Sequence, residues 1–295
     1  MFLYMKNQIR LITYNILADY LNSHEFVLVN KKYLDNQYRE KLLSKIFKKI
    51  LENDNKNTFF CLQEVGPTQL SYLTQIFLKN KYSHISYKDV AIFYPDNFDV
   101  KSIEINFINK LAPKYLNNKP RLIEKINNFN HIYILLELQS KNVKKFTLCT
   151  THLVANPKYK NIKTLQSYLI AKRLEDFKRV IFCGDFNSKP DSEVYELLNT
   201  GEVKYPYYGK LKIKNNFKSS YYKLYKNEDN ITTHTANKVT PIFTETIDYI
   251  WITPNIIPIK TSKVITRKDT NNLDLMPNKI EPSDHFFLIN DLRIK

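Results

Sequence analysis

Val180-Ile181-Phe182-Cys183-Gly184-Asp185-Phe186-Asn187-Ser188-Lys189-Pro190 is the stretch from which the fold can be read outward. Its four leading apolar residues predict a buried strand, and the polar block after them ends that strand before a helix led by Pro190. Polar side chains thus stand where a buried strand stops, the edge at which open α/β sheets bind ligands. Asp185 and Asn187 are two residues apart and project to one side of an extended backbone, so a carboxylate and an amide can converge on one small object. A carboxylate holds a metal or takes a proton from water; an amide donates to a developing negative oxygen. Taken alone, the same residues also read as ordinary turn formers.

Recurrence decides between the two. Thr58 to Leu62 empties into Gln63-Glu64, ahead of Gly66-Pro67 and a helix, and Phe146 to Cys149 empties into Thr150-Thr151-His152. Arg10 to Tyr14 reaches Asn15, Thr246-Ile247 reaches Asp248, and Pro282-Ser283-Asp284-His285 leads into Phe286 to Ile289. Six apolar strands, each with Asn, Glu, Asp or His at one end, are not the pattern of a featureless core.

A chain of 295 residues, 43% hydrophobic and 14% aromatic, can bury a sizeable core. No proline- or serine-rich linker divides it, so residues 1–295 read as a single domain. No apolar run of about eighteen residues occurs, and Met1 to Met5 are too few for a signal-peptide core, so nothing marks the chain for secretion or a membrane. Cys61, Cys149 and Cys183 each lie inside an apolar strand, with no C-x-x-C spacing; they read as buried thiols in a reducing compartment, the cytoplasm. A formal charge of +16 suits RNA or DNA as partner, or reflects lysines spread over a solvated surface in a composition rich in Lys, Asn, Ile and Tyr. The four glycines leave no room for a glycine-rich phosphate loop, so side chains and metal must handle any phosphate.

In chain order, Gln8 to Asn15 predicts a first strand. Leu34, Tyr38, Leu42, Leu43, Ile46, Phe47, Ile50 and Leu51 recur at helical spacing, with lysines and Arg39 on the opposite face, giving a β-α-β start. Gly66-Pro67 opens a second helix to about Leu78, and Tyr82 to Tyr87 with Val90 to Tyr94 predict a strand pair in which His84 packs or meets solvent. Asn106 to Asn130 reads as a long loop with one short helix. Ile132 to Leu138 and Lys144 to Thr150 predict a hairpin, and Ile162 to Phe177 a helix feeding the strand at Val180. Strand-helix-strand in both halves predicts two stacked sheets with helices outside. Between Gly201 and Pro241, tyrosines 205, 207, 208, 221, 222 and 225 lie among lysines. They either stack bases beside phosphate-neutralising cations or pin a loose surface loop to the body. His234 receives no role.

The blocks TYNILADY (13–20), CLQEV (61–65), TTHL (150–153), CGDFNS (183–188), TIDYI (246–250) and PSDH (282–285), in this order, resemble the signatures of the endonuclease/exonuclease/phosphatase superfamily. Within it they are most similar to the deadenylase branch that includes nocturnin, angel and the 2′-phosphodiesterase. The likeness runs from about Ile9 onward. It departs at Val154-Ala155-Asn156-Pro157, where the family often has a Trp and an acidic or His residue before the proline, and Gly201 to Pro241 does not align.

The resemblance implies a four-layer α/β sandwich, two stacked mixed β-sheets flanked by helices, with the active site where the sheets meet at one edge. It implies Mg²⁺ or Mn²⁺ held by Glu64, with Asn15 orienting it and Asp284 as a second carboxylate. Asp185 aligns or deprotonates the attacking water, Asn187 and His152 donate to phosphoryl oxygens, and His285 binds the scissile phosphate with Asp248 orienting its ring. Phe243 is placed to stack on adenine, or else is a core aromatic entering a strand, and Pro157 borders the base pocket. The activity implied is 3′-5′ removal of adenylates from RNA, with hydrolysis of 2′,5′-linked oligoadenylate close behind. A catalytically inactive RNA-binding scaffold, a DNA repair endonuclease and a phosphatase are the other readings. TYNILADY and Phe243 favour the RNA branch over the last two. No docking domain precedes Ile9.

Overall fold

The computed structural model describes residues 6–21, 26–52, 57–236, 238, 242–262 and 264–295. Met1 to Met5 and part of the Gly201 to Pro241 stretch lie outside the described residues. The first strands are β1 (Gln8–Asn15), β2 (Thr58–Gln63), β3 (Tyr82–Tyr87) and β4 (Val90–Pro95). Next come β5 (Asp99–Phe107), β6 (Ile132–Gln139), β7 (Phe146–His152) and β8 (Val180–Asp185). A hairpin of β9 (Glu202–Tyr205) and β10 (Gly209–Lys212) precedes β11 (Lys218–Ser219), and β12 (Thr233–Thr235) pairs with β13 (Phe243–Glu245). The last three are β14 (Asp248–Ile252), β15 (Ile256–Ser262) and β16 (Leu288–Ile294).

Two six-stranded sheets result, ordered β15-β16-β1-β2-β4-β3 and β11-β14-β8-β7-β6-β5. Each has one parallel pair at its centre, β1 with β2 and β7 with β8, and antiparallel neighbours on both sides. A parallel pair needs a crossover, supplied by the helices Asn36–Glu52 and Lys160–Leu174. Side-chain alternation sets the layers. Phe59, Cys61, Ile181 and Cys183 pack between the sheets; Phe60 and Leu62 turn to the helices Asn36–Glu52 and Pro67–Lys79, and Val180 and Phe182 to the helix Lys160–Leu174. Strands buried on both faces read as continuous apolar runs for this reason. The order helix, sheet, sheet, helix is the expected four-layer sandwich. All three cysteines are free and buried, and no helix among the described residues is long and apolar enough to cross a membrane.

Several expectations change. Arg39 does not lie on the solvent face: it shares the buried stripe with Leu43, Phe47 and Leu51, because its guanidinium finds backbone carbonyls inside. Asn106 to Asn130 is not a loop. It carries the end of β5, a helical turn Ile108–Leu111 and the helices Ala112–Tyr115 and Pro120–Asn127, which bury Ile108, Leu122 and Ile126. The helix expected at Pro190 begins at Glu193, where Ser192 Oγ caps Tyr195 N–H at 3.3 Å. The described part of the Gly201 to Pro241 stretch carries β9 to β12 and the helix Ser220–Tyr225. Tyr205 pins it to the body, its hydroxyl donating to Asn161 O at 3.1 Å; Tyr221 donates within the stretch to Asp229 O at 3.0 Å, and Tyr207, Tyr222 and Tyr225 are exposed.

Gly184 lies close against the neighbouring strand of the second sheet. It has φ of 134°, and a Cβ there would lie 2.0 Å from the carbonyl oxygen of Thr151, its partner across β7 and β8. Gly184→Ala is expected to cost about 2–4 kcal/mol in urea unfolding; an unchanged midpoint would contradict the packing described.

Glu228 follows the helix Ser220–Tyr225 and is mostly buried. Burial pushes its carboxyl up to about 7 against the hydrogen bonds from Ser219 and Tyr195, the latter at 2.8 Å. A carboxyl with a raised folded pKa favours the fold when protonated, and that contribution fades as pH rises through about 4.5 to 7. Glu228→Gln keeps an acceptor for Tyr195 without the charge. Thermal unfolding is expected to show the variant gaining on the parent by about 2–3 kcal/mol between pH 5 and pH 8, and a gap independent of pH would refute the assignment.

Candidate active site

β1, β2, β7 and β8 end at one edge of the sandwich, with Asn15 opposite Gln63 and His152 opposite Asp185. β14 begins at that edge because it runs antiparallel to β8, placing Asp248 opposite Asp185. β16 runs antiparallel to β1, so residues 282–285 just ahead of it arrive there too. Topology alone therefore brings together polar residues as far apart in sequence as Asn15 and His285.

Asp185 is the hub. Its Oδ2 lies 3.1 Å from Asn15 Nδ2, 3.6 Å from His152 Nε2 and 3.8 Å from His285 Nε2, while Oδ1 accepts the Asn187 backbone N–H at 2.8 Å. Asn15 Nδ2 also donates to Glu64 Oε1 at 2.9 Å, and His152 Nε2 lies 3.8 Å from the same oxygen. Ligand atoms of Glu64, His152 and Asp185 fall within 4.8 Å of one another, as do those of Asp185, Asp248 and His285.

Each imidazole is fixed by its own carboxylate. His285 Nδ1 is hydrogen-bonded to Asp248 Oδ2 at 2.8 Å, and His152 Nδ1 to Asp89 Oδ2 at 3.0 Å, so both Nε2 atoms face Asp185. Burial works against charge on both rings and is outweighed. The Asp89 hydrogen bond with the charges of Asp185 and Glu64 lifts His152 to about 9. Asp248, Asp284 and Asp185 hold His285 well above the usual imidazole range. Burial pushes the Glu64 carboxyl up and the Asp284 charge adds to it, against the pull of His152 and the Asn15 amide.

Glu64 and Asn187 hold left-handed backbone, with φ of 52° and 49°. Asn187 is pinned there: its Nδ2 donates to Leu153 O at 3.0 Å, and its carbonyl accepts from the buried Lys163 Nζ at 2.7 Å. Behind the site Arg39 ties two loops, its Nε donating to Pro282 O at 2.7 Å and its Nη2 to Ile16 O at 2.9 Å and to Leu17 O. Ser283 Oγ donates to Asn15 O at 2.6 Å. Thr232 Oγ1 accepts the backbone N–H groups of Ile247 and Asp248, and Thr233 is bridged to His285. Part of the stretch read as surface therefore lies under the site.

The structure thus brings Asn15, Glu64, His152, Asp185, Asn187, Asp248 and His285 together, with Asp284 near enough to act on Glu64 and His285. Phe243 and Pro157 are outside this set. Phe243 opens β13 and is partly exposed. Pro157 is exposed at the head of the turn Pro157–Tyr159. Asp89, Lys163, Arg39 and Thr232 escape a reading from sequence. Asp89 sits in a hairpin turn, where acids are ordinary, and only the spacing of four from Arg39 to Leu43, Phe47 and Leu51 could have drawn Arg39 inward.

Around Glu64 and Asp185 carboxylate oxygens and the His152 imidazole come within 4.8 Å of one another, and Asp284 lies near enough to act on Glu64. That donor set fits a hard divalent cation such as Mg²⁺ or Mn²⁺.

The Ccr4 3'-5'-exoribonuclease subunit of the CCR4-Not complex of Candida albicans is 26% identical to this chain, covering 96% of it and 41% of that protein. Human 2',5'-phosphodiesterase 12 is 25% identical over 97% of this chain and 52% of that protein. The chain thus spans about half or less of the length of these relatives. Among solved structures, ANGEL2, described as a 2',3'-cyclic phosphatase, in complex with adenosine-2',3'-vanadate, has a TM-score of 0.81 at 20% identity, covering 99% of this chain and 97% of that one. The human Nocturnin catalytic domain has a TM-score of 0.70 at 20% identity, covering 98% and 96%. With its site residues converging at the edge that the strand ends predict, and with a match over residues 12–285, the chain belongs to the Endonuclease/Exonuclease/phosphatase family.

Proposed function

We propose that this chain is a Mg²⁺- or Mn²⁺-dependent hydrolase of RNA phosphodiesters that removes adenylates from a 3′ end. The observation that carries the reading is the convergence of Asn15, His152 and His285 on one oxygen of Asp185, with Glu64 in reach of the first two. Phosphodiester cleavage needs an aligned water and fixed positive charge around the phosphoryl group. Asp185 takes the proton of the attacking water. The second N–H of the Asn187 amide, Nε2 of His152 and Nε2 of His285 donate to phosphoryl oxygens, the two rings held on line by Asp89 and Asp248. Glu64, with Asn15 and Asp284, holds the cation, which when bound supplies charge to the phosphoryl group and the leaving oxygen. Phe243 and Pro157 border the adenine, consistent with a ring left partly exposed.

The likeness to the 3'-5'-exoribonuclease subunits supports RNA as substrate. Hydrolysis of 2′,5′-linked oligoadenylate is the second reading, favoured by the match to 2',5'-phosphodiesterase 12 along nearly the whole chain. We also propose that residues 1–295 act as one catalytic unit in a reducing compartment, in keeping with β16 pairing to β1 and three buried free thiols.

The test is a panel of 5′-labelled oligo(A) in 3′,5′ and 2′,5′ linkage, mixed-sequence RNA and DNA, with Mg²⁺ or with EDTA. One-nucleotide laddering of 3′,5′-oligo(A), lost in EDTA and in Asp185→Ala, is expected; preference for the 2′,5′ form promotes the second reading, and cutting of abasic duplex DNA alone refutes both. Asp248→Asn is expected to lower kcat about 10²–10⁴-fold with a smaller change in KM, because His285 loses the partner that orients it. Unchanged kcat would remove His285 from the chemistry.

A further inference from the structure

At the end of the second sheet away from the site, where β8 starts, the chain gathers positive charge. Asn255 Nδ2 donates to Lys178 O at 3.2 Å, Lys295 N–H donates to Asn255 O at 2.9 Å, and Arg179 Nε donates to Lys295 O. The helix Ser220–Tyr225 packs on β14 and β15 beside them, and the amino groups of Lys218, Lys226 and Lys295 all act on Lys223. Burial and these three like charges together lower Lys223 from the ordinary lysine range. Lys218 Nζ is held by Asn199 Oδ1 at 3.1 Å, which is a neutral partner. Among the described residues no side-chain carboxylate is ion-paired to Lys178, Lys218, Lys223, Lys226 or Lys295, and Arg179 meets the terminal carboxylate of Lys295. Two exposed tyrosines, Tyr222 and Tyr225, stand on the same helix.

We propose that this cluster is a second contact surface for the RNA strand, remote from the cleavage site, that holds the body of a long substrate. The inference rests on the reading of RNA as substrate. Five lysines without a side-chain carboxylate partner are costly to crowd together unless a polyanion neutralises them, and a single strand supplies phosphates at the needed density together with bases that stack on exposed tyrosine rings. From Val180 to Asp185, β8 spans about 17 Å, so one extended strand can reach both ends while a very short one cannot.

The test compares the parent with the Lys178→Gln, Lys223→Gln, Lys226→Gln triple variant, all three positions being solvent-accessible and outside the site. RNA of about two and of about thirty nucleotides is used in fluorescence anisotropy at several salt concentrations and in cleavage assays. The expected result is about tenfold weaker binding of the long RNA, with a log K against log salt slope shallower by about 2 for three lost phosphate contacts, and equal cleavage of the short RNA. Equal binding of the long RNA by both proteins overturns the proposal. So does a variant that loses binding only to vesicles of anionic phospholipid, which would make the patch a membrane surface. If the parent cleaves no RNA but binds the long strand through these lysines, the catalytic reading falls and the surface stands.

Discussion

The carboxamide of Asn15 is the suture between the two sheets. It donates to Glu64 at the end of its own sheet and to Asp185 at the end of the other. Two carboxylates buried this close repel, and burying either unpaired is expensive. Amide donors, two imidazoles and the cation inferred for the site each relieve part of that repulsion. The geometry of the whole edge follows: Asp185 becomes the common acceptor because it is the acid that every donor can reach.

Holding such an arrangement requires that its backbone not relax. Leu17, Glu64 and Asn187 all have positive φ, a conformation that non-glycine residues keep only when their surroundings over-determine it. Here the restraints are visible. Leu17 O accepts from Arg39 and Gln69, and Asn187 is gripped through its amide, its N–H and its carbonyl. Arg39 also reaches Pro282 O, so one buried guanidinium restrains both the loop that leaves β1 and the loop that enters β16. Its charge is compatible with burial because carbonyl oxygens surround it and Asp284 is near.

What the sequence makes legible is whatever depends on local pattern. β1, β2, β7 and β8 are buried on both faces, and an uninterrupted apolar run that ends in an acid, amide or imidazole announces both the strand and the site. β5 is missed because it is an edge strand with much of its length exposed, so Asp99 to Phe107 looks like linker. The short helices after it are too brief to establish a period. Asp89, Lys163 and Thr232 matter at the site through partners 15 to 63 residues away, and nothing in their immediate neighbourhoods separates them from turn or surface residues. Arg39 is missed for a different reason: a charge was assigned to water on type alone, although its spacing from Leu43 already placed it inside.

The pairing of β16 with β1 has a temporal meaning. The imidazole of His285 and the carboxylate of Asp284 precede β16, which follows the other described strands in sequence and docks against β1, the first of them. On a growing chain the polar residues at the ends of β1, β2, β7 and β8 are therefore made before the segment that carries Asp284 and His285, and the constellation closes only once β16 has paired with β1.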